Sequence, residues 1–171
     1  MNSKNKYEED LINLQNKVIN LALVSFSLMV VFAESMAILR ALTYGMNLTF
    51  FIQSLDALAL IIITIFRKKL SINQKILAIL IIVSIVLITG LYSFGFLASA
   101  KYYVAIVPVF ISFIVSYRKS VISLIVMLAC YVLFGLLYHF GILRLTFDAN
   151  NYISNPIPWM IDISIILFIS L

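Results

Sequence analysis

Residues 48–69, LTFFIQSLDALALIIITIFRKK, set the reading of the whole chain. From Leu48 to Phe66 the one charged residue is Asp56, and then Arg67, Lys68 and Lys69 follow without a break. A bilayer core of about 30 Å is crossed by roughly 20 predominantly apolar residues of helix, so this stretch is a span closed by a basic turn. A membrane β-strand would instead alternate polar and apolar residues over about ten positions. The run is continuous, which predicts helix.

Working outward, comparable runs occupy residues 18–39, 76–97 and 121–143, with a shorter one at 102–116. A sixth begins near Trp159 and reaches Leu171. Hydrophobic residues make up 64% of the 171 and charged residues only 11%, with a mean hydropathy of +1.13. That composition leaves too little polar surface for a soluble globule, and makes lipid the main solvent. The expected fold is all-α, a polytopic membrane bundle of six transmembrane helices over residues 18–171. Residues 1–17, carrying Glu8, Glu9 and Asp10 with Lys4, Lys6 and Lys17, read as an interfacial segment. The acidic cluster and the long apolar run after it do not fit a signal peptide.

Basic residues orient the bundle, because Lys and Arg are retained on the cytoplasmic side of short loops. With the amino terminus inside, Lys4, Lys6, Lys17, Arg67, Lys68, Lys69, Lys75, Arg118 and Lys119 are cytoplasmic, leaving Arg40, Lys101 and Arg144 outside. The net charge of +5 then belongs to topology and anionic headgroups, and gives no support to nucleic-acid binding. Outer loops are short. The longest, residues 144–158, has Asp148, three asparagines and two prolines and reads as a turn-rich lid. Tyr44, Tyr102, Tyr103, Tyr152 and Trp159 are expected in the outer aromatic belt.

An ionisable side chain in hydrocarbon costs a few kcal/mol and faces a bundle interior or a wet cavity. Glu34, Asp56, His139 and Asp162 are the four such positions, with Asp56 near the middle of its span and the group clustered towards the outside. Thr49, Gln53 and Asp56 follow i, i+4, i+7 spacing and form one stripe on the second helix. Tyr131, Phe134, Tyr138 and His139 form an aromatic face on the fifth. Glu34, Gln53, Asp56, Tyr138, His139 and Asp162 are therefore the candidate residues of an intramembrane pocket for a small or amphipathic ligand. The competing reading is separate interhelical hydrogen bonds. Arg40 and Arg144 are placed to balance carboxylates or to snorkel to the interface. Gly90, Gly95 and Pro108 mark a candidate hinge, since small residues allow close approach and proline removes a backbone hydrogen bond.

No catalytic constellation of the soluble type is present. Cys130 is the single cysteine and His139 the single histidine, which excludes a histidine-rich metal box and an HExxH zinc site. There is no phosphate-binding glycine loop and no GxSxG elbow. Neither a metal nor a cofactor is expected.

Five stretches carry a resemblance: residues 39–45, LRALTYG; the Arg67-Lys68-Lys69 turn; residues 90–95, GLYSFG; Pro108; and the Tyr117-Arg118-Lys119 turn. Together they resemble the membrane-embedded amino-terminal sensory region of bacterial sensor histidine kinases, including PAS-containing hybrid kinases, over about residues 18–171. The resemblance implies a bacterial inner-membrane input domain of a two-component system and a homodimer formed through a part not present here. It also implies a response regulator as partner, and catalysis downstream of Leu171. The 13 residues from Trp159 to Leu171 make about 20 Å of helix, so the sixth span is expected to be truncated and to continue into that module. Two other classes compete: the six-helix substrate-binding subunit of a vitamin or metal transporter, and a membrane scaffold.

Overall fold

The computed structural model describes residues 3–45, 47–114, 116–145 and 147–170. The side chains of Lys4, Lys6 and Tyr44, and the last residue, Leu171, lie outside the described residues. Among the described residues all regular structure is helical. In chain order the α-helices are α1 (Ser3–Tyr44), α2 (Leu48–Ile65), α3 (Ile72–Phe94), α4 (Tyr103–Ile114), α5 (Tyr117–His139), α6 (Ala149–Ser154) and α7 (Pro156–Ser170).

Local chemistry fixes where these helices begin. Asn47 caps α2 by accepting from the Phe50 amide at 2.9 Å. Ser71 and Gln74 form a reciprocal capping box at the start of α3, satisfying two donors that no intrahelical carbonyl reaches. Ser116 accepts from the Lys119 amide to open α5. Asp148 caps α6 by accepting from the Asn150 amide at 2.9 Å.

Two elements differ from the sequence reading. The interfacial segment and the first span fuse into one helix of 42 residues, about 63 Å at 1.5 Å per residue. No proline or glycine falls between Ser3 and Tyr44 to end it. The region expected as one lid from 144 to 158 instead folds its centre into the short helix α6.

Among the described residues, four helices are long and apolar enough to cross a membrane: Glu8–Thr43, Leu48–Ile65, Ile72–Leu97 and Tyr117–His139. α4 is shorter, at 12 residues, and α7 has 15. Leu48, Leu42, Leu28 and Ile122 are each more than 60% exposed on the outer faces. That is the surface of a body solvated by lipid, where exposed leucine carries no penalty. The interior is a narrow seam in which Ile19 and Leu23 of α1 meet Leu60 of α2, Ile79, Leu87 and Leu91 of α3, and Val107 and Ile111 of α4. α5 packs chiefly on α4, where the Ser120 hydroxyl donates to the Pro108 carbonyl at 2.6 Å.

Candidate functional site

The stripe on α2 faces α3 and the interior. The Thr49 and Ser93 hydroxyls share a hydrogen bond, and the Gln53 amide donates to the Thr89 hydroxyl at 3.3 Å. Two turns from Thr49, Asp56 is only 6% exposed. Its Oδ2 is buried with no hydrogen-bond partner among the described residues. Buried polar atoms are nearly always paired, which sets this oxygen apart among the described residues.

Asp56 stands in the wall of a cavity of about 120 Å³. α1 supplies Glu34, Ala37 and Arg40, α2 supplies Gln53 and Asp56, and α3 supplies Gly90 and Phe94. The segment before α4 adds Ser99 and Ala100, α4 adds Tyr103, and α7 adds Ile161. Apart from the carboxyl, guanidinium, amide and hydroxyl groups, the lining is aliphatic and aromatic. Glu34 accepts a hydrogen bond from Ser54. Arg40 donates to Gln53 Oε1 at 3.4 Å, and its guanidinium carbon lies 4.2 Å from the Phe94 ring centroid, within range of a cation–π contact.

This chamber shares walls with two neighbouring depressions. Towards the loop end, Ala37, Arg40 and Phe94 form a wall shared with a smaller depression of about 50 Å³ that also touches Phe147. Phe94, Phe147 and Tyr152 stack there with ring centroids 4.9 to 5.6 Å apart. On the flank, Val30, Glu34 and Ala57 form a wall shared with an outer groove between α1 and α2. That groove is lined by Val31, Ile38 and Leu58.

Of the six pocket candidates read from sequence, Glu34, Gln53 and Asp56 line one cavity. Asp162 stands beside it, accepting a hydrogen bond from the lining residue Ser99. Tyr138 and His139 lie elsewhere. The Tyr138 hydroxyl donates to the Tyr92 carbonyl at 2.7 Å, and its ring covers Gly95. His139 is exposed at the end of α5, against Phe140. The physical reason is that α5 packs chiefly on α4, so Tyr131 and Phe134 meet the core while Tyr138 and His139 fall at the rim of the bundle.

Among the hinge candidates, Gly90 is a close-contact position: a Cβ there would lie 2.8 Å from that of Ala100. Gly95 has φ +55°, which disfavours other residues. Pro108 lies inside α4. Two residues expected in the aromatic belt are inside instead. Tyr103 lines the cavity and Tyr152 is 4% exposed. Arg40, expected at the interface, points inward. Its signal was present in Ala33, Ala37 and Ala41, small residues every fourth position that mark the inward face of α1. Among the described residues there is no cluster of three or more metal-ligating side chains.

Comparison with curated proteins and with solved structures gives no match. Comparison with family models matches MASE11 over residues 13–171. MASE domains are membrane-associated sensory domains of bacterial signalling proteins. With nearly its whole length covered, and with apolar helices around a cavity that carries a few polar groups, the chain belongs to the MASE11 family and is a membrane sensory domain of a signalling protein.

Proposed function

We propose that this domain is the sensory input of a bacterial sensor histidine kinase, in which the state of the cavity is passed to a catalytic module through α7. The observation that carries the reading is the attachment of α7 to the chamber. Ile161 forms part of its wall, and the next residue, Asp162, accepts a hydrogen bond from the lining residue Ser99. Filling or emptying the cavity therefore acts directly on the helix that follows the other spans. A stimulus shifts such an equilibrium only by its difference in free energy between the two states. The chamber supplies a place for that difference.

The kinase assignment rests on the sequence resemblance, which also brings a homodimer and a response regulator as partners. α1 to α5 and α7 are the six membrane helices in this reading. Nine of the twelve basic residues then lie on the side of the amino terminus, the cytoplasmic face of the inner membrane.

The test is ATP-dependent histidine phosphorylation by the full-length protein in lipid nanodiscs. Ser99→Ala and Asp162→Ala each remove the α7 tether, and basal phosphorylation is expected to change about threefold, the equivalent of one interhelical hydrogen bond in a bilayer. Absence of histidine phosphorylation overturns the kinase assignment. Phosphorylation indifferent to both substitutions overturns transmission through α7.

A further inference from the structure

We propose that the cavity binds a compact, membrane-soluble amphiphile: an apolar body about the size of one aromatic ring, bearing a single hydrogen-bond donor that Asp56 accepts. The proposal rests on reading this chamber as the sensory site, and specifies its ligand.

Size is the first constraint. An apolar cavity of about 150 Å³ takes up benzene, and the present one holds about 120 Å³, which limits the occupant to roughly one ring or a short branched chain. Polarity is the second. Most of the wall is hydrocarbon, contributed by Val30, Ala37, Ala57, Ile82 and Val86, so a fully polar ligand would leave its own groups unpaired.

The third constraint is the hydrogen-bond inventory. Glu34 is engaged by Ser54, Gln53 by Thr89 and Arg40, and the guanidinium lies on Phe94. Asp56 Oδ2 is buried and unpartnered among the described residues, and the Tyr103 hydroxyl is a further polar group in the same wall. A ligand hydroxyl or amine supplies the missing donor. The outer groove that shares Glu34 with the chamber is itself apolar and faces lipid, which suits a molecule concentrated by partition into the bilayer.

Phenol and benzene differ by the single donor at issue and serve as the probes. Their dissociation constants are measured on the full-length protein in nanodiscs of phosphatidylcholine and phosphatidylglycerol, at matched activity in the lipid. Phenol is expected to bind about tenfold more tightly than benzene, as one hydrogen bond to a buried carboxyl group predicts. Asp56→Leu is expected to erase that preference. Ala33→Leu keeps the carboxyl but narrows the cavity, and is expected to weaken both ligands. Equal affinities in the unaltered protein, no binding of either probe, or a preference that survives Asp56→Leu overturns the proposal. Because the readout is binding, those failures leave the phosphorylation test untouched. Phenol that binds as expected without altering output supports the ligand assignment and counts against the sensory role.

Discussion

Two regions of this bundle bury an ionisable side chain, and they do so in opposite ways. At one end, Lys75 on the first turn of α3 is 2% exposed, although its place beside the basic turn predicted a cytoplasmic loop residue. Its ammonium donates to Asn16 Oδ1 at 2.7 Å and Asn20 Oδ1 at 2.8 Å. Nearby, Gln15 donates to the Ile114 carbonyl at 2.9 Å, fastening α1 to α4. Along α2, Asp56 is almost as deeply buried, yet one of its oxygens has no partner among the described residues, and the residue stands in the wall of a cavity. A buried charge surrounded by matched acceptors holds helices together. A buried acceptor beside a cavity leaves a position for something else to fill.

The largest expected effect lies at the Lys75 end. Asn16→Leu with Asn20→Leu strips the ammonium of both acceptors, and removing one partner of a buried charge costs about 3–5 kcal/mol. Adding Lys75→Met to that pair is expected to recover most of the loss, since an apolar replacement no longer needs acceptors. Reversible unfolding in mixed micelles reads both numbers. If the double variant is as stable as the parent, Lys75 is not held as described and the contrast between the two regions collapses.

Next in size is the packing that shapes the cavity wall. Gly90→Ala forces a methyl to within 2.8 Å of the Ala100 Cβ, and overpacking of this kind costs about 1–3 kcal/mol. Combining it with Ala100→Gly removes the obstructing methyl and is expected to restore stability. Ser99→Ala is smaller, about 0.6 kcal/mol for one interhelical hydrogen bond in a bilayer. Its stability cost and its effect on output should therefore separate cleanly from those of Gly90→Ala.

How much of this was legible in the sequence follows from which residues carry periodic signals. The spans announced themselves by length and continuous apolarity. Thr49, Gln53 and Asp56 share a helical face whatever packs against it, so their inward orientation on α2 was readable. His139 and Tyr138 were grouped with them by depth and by the aromatic face of the fifth span, and neither says which helix is central and which peripheral. That depended on α5 packing chiefly on α4. Arg40 was read by the habit of arginine near a span end, which its 4.2 Å approach to Phe94 overrides. The lock on Lys75 left a trace in Asn16 and Asn20, polar residues one turn apart on α1. Only tertiary contact between α1 and α3 shows what they hold.

Asp56→Leu is the smallest expected effect on stability and the sharpest test of the comparison. Replacing a carboxyl group that holds two helices together costs stability because its donor is stranded. Asp56 Oδ2 has no such donor, and leucine matches the aliphatic surroundings supplied by Ala57, Ile82 and Val86. Exchange of an unsatisfied buried polar group for an apolar one of similar shape is close to neutral or stabilising. The variant is therefore expected to unfold within about 1 kcal/mol of the parent, or above it, while losing the preference for phenol. A loss near the 3 kcal/mol expected at the Lys75 end would mean that Asp56 is a structural tie like Lys75, and that the bundle has two locks and no vacancy.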